Sequence, residues 1–533
     1  MEFFTVCSLE KVFKTIKPSF IETDGLMFRN EVYNFQAVFS DGKELKDISV
    51  QAPSGTFDVT ARYVADLRAD LENKDIHDDY VLSSPDKMYP EVLAKEIPDT
   101  LRKGKLHSLW IQARAKESAA AGGHIIPINL YSGGKLLAQT GYNLELIDGN
   151  LPETDIPVTC WIHYDCIAHR HNVALFERDF YKVFEKYLAL YTGGGHNMLL
   201  IPTFTPALDT AVGGERRTAQ LVGVERKGGE YSFDFDKLDK FIDFVKARGI
   251  KYFEFAHLFT QWGAKACPKI IAKTENGISE RIFGWETDSS GDAYKGFLSR
   301  YLPALTQYVT RKGIAGKSFF HLSDEPSAEH IDRYEELYGF VKQFTAIKTM
   351  DALSSFDFYK RGIVDAPAVA SDRALPFLEN SARHFVYYCV TQRGGYVANR
   401  FFAMPSERNA VLGIQLYQNG SLGFLHWGFN FYNTRYSLKE IDPYAYTSSG
   451  GEFPSGDAFI VYPDGNGAAA SLRLEVFHEG IQLYRALKKL ESLIGRERVL
   501  QILVSRGFKN YDTYPRSPEA LKALKKEIYG FFH

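Results

Sequence analysis

From Trp161 onward, short apolar runs alternate with longer stretches whose apolar residues recur at helical spacing, and this alternation constrains the fold more than any single motif. Candidate strands begin near Trp161, Asn197, Tyr252, Ser318, Lys348, His384, Ser421 and Ala458. Between them, residues 235–246 and 331–341 carry a helical apolar pattern. Strand–helix alternation repeated in this way predicts a (β/α)8 TIM-type barrel over residues 158–494. A doubly wound sheet would need a glycine-rich phosphate loop after an early strand, whereas Gly193-Gly-Gly195 precedes one.

The first 150 residues read differently. Tyr33-Asn-Phe-Gln-Ala-Val-Phe39, Thr56 to Tyr63, Ser108 to Ala113 and Ile126 to Tyr131 alternate or run apolar, with turn signals at Asp41-Gly42 and Ser132-Gly-Gly134. This predicts an N-terminal antiparallel β-sandwich over residues 1–150. The proline-bearing stretch 148–157 serves as its linker to the barrel. Residues 495–533 are basic and helical in pattern. They are expected to pack on the barrel as a C-terminal segment with a solvated charged face.

Composition excludes several partners. A net charge of -3 and a pI near 6.6 give no electrostatic reason to bind nucleic acid or an anionic membrane. No run reaches the length of a membrane span. The N-terminus lacks the basic and apolar regions of a secretory signal. Cys7, Cys160, Cys166, Cys267 and Cys389 are scattered without a CxxC pair and read as reduced thiols, so a cytoplasmic location is expected. An exposed face of the sandwich could take a second copy, which leaves a homodimer open.

Acids on a parallel barrel strand belong at its C-terminal end, where such enzymes keep their chemistry. The run Lys317-Ser-Phe-Phe-His-Leu-Ser-Asp-Glu-Pro326 begins apolar and ends in Asp324 and Glu325. The other strand ends supply candidate substrate-binding residues: His163, Asp165, Asp209, His257, Trp262, Tyr387, Tyr388, Trp427, Asn430, Arg473 and Glu475. Aromatics beside carboxylates and amides suit a carbohydrate, with its apolar C–H faces and many hydroxyls. Each also has a plainer role open to it. Asp209 could hold a turn, Arg473 and Glu475 could form a structural ion pair, and the aromatics could be core. His163, Asp165, His169 and His171 lack ligand spacing for zinc, and no Gly-x-Ser-x-Gly elbow occurs.

Glycoside hydrolysis usually takes two carboxyls facing each other across the bond. The segment His426-Trp-Gly-Phe-Asn430, at the expected seventh strand end, holds no acid. Adjacent Asp324 and Glu325 suit another division of labour. Glu325 protonates the leaving oxygen, while Asp324 orients a substrate 2-acetamido group whose carbonyl oxygen attacks the anomeric carbon.

The chain resembles glycoside hydrolase family 123, the β-N-acetylgalactosaminidases, and their wider uncharacterised relatives. The resemblance rests on Trp161-Ile-His-Tyr-Asp-Cys166, Pro202-Thr-Phe-Thr-Pro-Ala-Leu-Asp-Thr210, Ser323-Asp-Glu-Pro326, Gly423-Phe-Leu-His-Trp-Gly-Phe-Asn430 and Ser471-Leu-Arg-Leu-Glu475 with Glu479-Gly480. It implies a β-sandwich, a (β/α)8 barrel, retention by substrate assistance, Asp324 as the acetamido-orienting residue and Glu325 as the acid/base. It implies no metal or organic cofactor. The expected substrate is a glycan or oligosaccharide ending in a β-linked N-acetylhexosamine. Two other readings stay open. One is a glycosidase for sugars without the acetamido group, its nucleophile Asp165 or Glu475. The other is a non-catalytic carbohydrate-binding protein.

Overall fold

A computed structural model describes residues 1–73, 78, 80–388 and 396–533. At the N-terminal end, a larger and a smaller sheet pack face to face. The larger runs Glu2–Cys7, Val32–Ser40, His107–Ala115, Phe57–Arg68, Met88–Ala94, antiparallel throughout. The smaller runs Asp24–Phe28, Lys135–Ile147, Gly122–Ser132, Ile48–Gln51, with its first pair parallel. Period-two alternation sends Phe35, Ala37 and Phe39 from one sheet and Ile126, Ile128 and Leu130 from the other into a shared core. Phe35 stacks on Tyr142 with ring centroids 3.9 Å apart. The opposite face of Val32–Ser40 is buried too, against the rest of the chain. There Asn34 donates to Glu479 at 3.1 Å and Gln482 accepts from the Val32 amide at 2.7 Å.

The remainder is mixed α/β, with parallel strands in two arcs. One arc orders Val158–Cys160, Gly423–His426, Phe385–Tyr388, Ala368–Ala370 and Ala352–Leu353; the other orders Met198–Ile201, Tyr252–Phe255, Ser318–Phe320 and Lys348–Thr349. The arcs meet at two places. The Asn197 amide donates to the Val158 carbonyl at 3.0 Å, and Met350 and Asp351 alone separate Lys348–Thr349 from Ala352–Leu353. Hydrogen bonding therefore draws two sheets and not one closed one. Helices Arg178–Gly193, Asp236–Lys246, Asp292–Arg311 and Ile331–Lys342 lie between strands, each burying an apolar stripe.

Three strand positions differ from expectation. The first strand, expected to begin near Trp161, is Val158–Cys160, and Tyr164 and Asp165 instead open the helix Tyr164–Arg170. Ala368–Ala370 lies outside the expected strands, because a short Ala-Val-Ala run after a proline carries little apolar bulk. The run near Ala458 leads instead into an antiparallel hairpin, Val461–Asp464 with Gly467–Ala470. The two-residue loop Gly465-Asn466 explains it: Gly465, at the first central position, takes φ +52°, which lets a tight turn fold the chain back on itself.

The 23-residue helix Leu472–Ile494 joins the sandwich to the α/β region. Its N-terminus is capped by the Ser471 hydroxyl, which accepts from the Leu474 amide at 3.1 Å. The basic tail helix Pro518–Tyr529 is not simply a solvated face. Lys522 and Lys525 reach Glu22 and Glu31, and the Tyr529 hydroxyl donates to Glu31 at 2.6 Å. No described helix is long and apolar enough to cross a membrane.

Candidate active site

Side chains at the C-terminal ends of the parallel strands enclose a cavity of about 230 Å³. Asp324 and Glu325 line it from the segment after Ser318–Phe320. Backbone bonds fix them. The Trp262 amide donates to the Asp324 carbonyl at 3.0 Å, and the Glu325 amide donates to the Ala352 carbonyl at 3.1 Å. Asp324 is half-buried and Glu325 exposed, Glu325 facing both this cavity and the neighbouring open depression beside Pro326 and Ser355. Asp209, Trp262 and Glu325, all lining residues, hold left-handed φ angles of +42°, +56° and +46°. Each such residue stores roughly 1–3 kcal/mol of strain, which the surrounding structure must hold in place.

The electrostatics favour a shared proton. Burial raises the Asp324 carboxyl well above the usual carboxylate range, the Glu325 charge raises it further, and the nearby His321 cation opposes both. Burial raises Glu325 as well, with Trp262 and Tyr387 as hydrogen-bonding neighbours that offset part of it. Two adjacent carboxyls so placed titrate as a pair and keep a proton at pH values where free carboxyls have lost theirs.

Beneath them lies a closed polar network. His321 places Nε2 2.6 Å from Glu254 and Nδ1 3.2 Å from Asp351, and the Tyr334 hydroxyl also donates to Asp351. Burial works against the His321 charge, but the two carboxylates outweigh it and push the imidazole up to about 9. The floor residue Trp161 donates its indole N–H to the same Glu254. His257 stacks on His321 at 4.3 Å and is held neutral by burial and by the His321 charge. His257, His321 and Asp351 bring potential metal-ligand atoms within 4.8 Å of one another. Both ring nitrogens of His321 already face carboxylates, Nε2 on Glu254 and Nδ1 on Asp351.

On the other side, Asp165 and Arg216 form a fork of 2.8 and 2.6 Å. Burial opposes the Asp165 charge, but Arg216 holds the carboxyl below its ordinary range. Arg216 also donates to His163 Nδ1 at 3.2 Å, so His163 carries its hydrogen on Nε2 and donates it to the Trp427 carbonyl at 3.0 Å. Burial and the Arg216 charge push His163 down to about 3.

The family model for the glycoside hydrolase 123 catalytic domain matches residues 161–490, more than half of the chain. The chain belongs to glycoside hydrolase family 123. A solved family 123 glycoside hydrolase from Clostridium perfringens, described in terms of glycolipid glycan hydrolysis, aligns over 100% of this chain and 98% of its own, at TM-score 0.75 and 15% identity. At that identity the likeness shows the fold. A family 39 glycoside hydrolase from Bacteroides cellulosilyticus WH2 aligns over 89% of this chain and 83% of its own at TM-score 0.35 and 10% identity. No curated protein matches significantly. This family 123 chain is therefore a glycosidase, and as such acts on glycans.

Asp324, Glu325, His163, Asp209, Trp262, Tyr387 and Trp427 all line the family 123 cavity. The other named residues stand elsewhere. Asp165 is held in the Arg216 fork, and His257 lies below the floor. Tyr388, one residue on from Tyr387, points to the opposite side of its strand and packs on Phe424 at 4.9 Å. Asn430 spends its side chain on the His163 backbone, at 2.9 and 3.1 Å. Arg473 and Glu475 do not pair with each other. Arg473 grips Glu91 at 2.7 Å, and Glu475 accepts from Arg62 at 2.7 Å and Gln112 at 2.9 Å, all three partners in the N-terminal sheets. Of the lining residues that sequence reasoning missed, Gln261 directly precedes Trp262, and Trp161 opens a strand-end motif. Arg435 and Phe453 come from the loop after Gly423–His426, and no sequence signal marks them.

Proposed function

We propose that this glycosidase is an exo-acting, retaining β-N-acetylhexosaminidase, acting on a galacto-configured sugar by substrate assistance. The observation that carries the reading is the adjacency of Asp324 and Glu325 in a cavity sized for about one sugar ring. Glu325, protonated at first, gives its proton to the glycosidic oxygen as the acetamido carbonyl oxygen bonds to the anomeric carbon and the C–O bond breaks. Asp324 accepts the acetamido N–H and offsets the positive charge of the oxazolinium. Water then opens that ring and gives a proton to Glu325, which restores the starting state with retention. Burial and the Glu325 charge work against the ionised Asp324 that this role needs, and the His321 cation below offsets part of that.

The architecture fits as well. Counted as one strand across residues 348–353, the two arcs supply the wall of a (β/α)8-type barrel, with the N-terminal sandwich at 1–150 and the helical tail at 495–533 docked on it. Cys7, Cys160, Cys166 and Cys267 are buried free thiols, which suits a reducing compartment such as the cytoplasm; Cys389 lies outside the described residues.

A second reading has one observation in its favour. Asp209 is a further carboxylate in the cavity, and a conventional pair would use it as nucleophile with Glu325 as acid. Hydrolysis of the p-nitrophenyl β-glycosides of N-acetylgalactosamine, N-acetylglucosamine and galactose by wild type and Asp324→Asn separates the two. Cleavage confined to acetamido sugars, lost in the variant and blocked by a thiazoline inhibitor, supports substrate assistance. Equal cleavage of the galactoside, or an unaffected Asp324→Asn, overturns it.

A further inference from the structure

The cavity wall carries an acceptor and a donor with nothing to bond. Among the described residues, Oδ2 of Asp209 and Nε2 of Gln261 are buried and have no hydrogen-bond partner, and both side chains line the cavity. Buried polar atoms left unpaired are uncommon in a folded chain and mark places completed by something else. Neither side chain is free to turn away. The Asp209 amide donates to Gln261 Oε1 at 2.5 Å, which fixes the Gln261 amide so that its NH2 is the group left over. The other Asp209 oxygen faces the Tyr436 amide at 3.4 Å, and the Ser437 hydroxyl donates to the Asp209 carbonyl at 2.8 Å. Asp209 keeps its left-handed φ of +42° within this frame.

A sugar hydroxyl donates one hydrogen bond and accepts others, so a carboxylate oxygen and an amide NH2 lining one cavity are its complement. Burial pushes the Asp209 carboxyl up to about 6, with the Tyr436 amide, Arg216 and Arg435 holding it from rising further, so the carboxylate remains the main form at neutral pH. We infer that Asp209 and Gln261 clamp one hydroxyl of the bound sugar ring and decide which ring configuration is accepted. The inference rests on the cavity holding the sugar, as proposed above. It gives Asp209 a binding role in place of the nucleophile's.

The test uses the full-length enzyme and the 3-, 4- and 6-deoxy analogues of whichever p-nitrophenyl glycoside the wild type cleaves. It therefore does not depend on that sugar being acetamido. In the wild type one analogue should lose about 100-fold in kcat/KM, since a site built to bond a hydroxyl rejects the sugar lacking it. Asp209→Ala should cleave that analogue and the intact sugar within about threefold of each other, with the other analogues' ratios unchanged. Gln261→Glu keeps the oxygen that receives the Asp209 amide but replaces the donor, so it should lose the same preference even where Asp209→Ala folds poorly. Unchanged ratios for all three analogues in both variants overturn the clamp. Recovery of Asp209→Ala by azide, with formation of a glycosyl azide, also overturns it and makes Asp209 the nucleophile. Asp324→Asn, assayed alongside, reports on substrate assistance by itself: full activity there removes that mechanism and leaves the clamp to its own data.

Discussion

Nε2 of His321 lies 2.6 Å from Oε1 of Glu254, and both side chains are wholly shut off from solvent. Together with Asp351 this holds a cation below the Asp324–Glu325 pair, where it pulls the Asp324 carboxyl down against burial and the Glu325 charge. In the proposed mechanism the active form carries one proton, on Glu325, so acid would remove activity by protonating Asp324 and alkali by deprotonating Glu325. Replacing His321 by Gln should therefore move the acid limb of kcat/KM against pH upward by about one unit, while the alkaline limb stays. A profile displaced equally on both limbs, or not at all, would show that the cation does not govern Asp324.

The same residue ties stability to pH. His321 titrates near 9 in the folded chain against an ordinary value of 6.5, so the folded state holds its proton more tightly. A raised pKa of this kind stabilises fully below about pH 6.5 and loses its effect as pH rises through 9. The melting temperature of the wild type should fall across that window, and His321→Gln should flatten the fall. Thermal melts at pH 6, 7.5 and 9 on both proteins read this directly.

Asp324 predicts the opposite sign. Its carboxyl is raised in the folded chain, so the unfolded chain ionises first and stability drains away as pH climbs above the ordinary carboxylate range. Asp324→Asn, which has no charge to bury, should melt about 2 °C higher than wild type at pH 7.5, and the gap should narrow toward pH 4. Activity on an acetamido substrate should fall by about 100-fold or more in the same variant. Greater stability with less activity is the mark of a group held in place for chemistry.

Much of this was legible in the sequence, and the failures have physical causes. Asp324 and Glu325 could be singled out because acids at the end of an apolar strand have few structural uses. Trp262 and Trp427 stood out for similar reasons. Tyr387 and Tyr388 could not be separated, because period-two alternation reveals opposite faces but not which face meets the cavity. Asn430 and His257 lie just past strand ends, whereas Asp165 sits in the helix Tyr164–Arg170; Asp165 spends its carboxylate on Arg216, Asn430 its amide on the His163 backbone, and His257 stacks on His321 below the cavity. Arg435 and Phe453 reach the cavity from a long loop, whose path is set by tertiary contacts. Arg473 and Glu475 sit in the right motif, yet they face the N-terminal sheets. Only the folded chain places Glu91, Arg62 and Gln112 opposite them.

That last arrangement makes a prediction of its own. Arg473 is buried, and its guanidinium also donates to the Arg400, Gly456 and Phe459 carbonyls besides gripping Glu91. The Tyr462 hydroxyl donates to Glu91 at 2.9 Å as well. Removing the arginine leaves a buried carboxylate and three carbonyls without their partner, and breaking such a pair from one side destabilises by roughly 3–5 kcal/mol. Arg473→Ala should accordingly melt several degrees lower, while kcat and KM per folded molecule change less than about threefold, since no atom of Arg473 lines the cavity. Glu91→Gln alongside Arg473→Met removes both charges and should recover some of the loss, because the orphaned carboxylate is then gone. A selective rise in KM in Arg473→Ala at temperatures where it remains folded would mean that the joint between the N-terminal sheets and the α/β region shapes the sugar site after all.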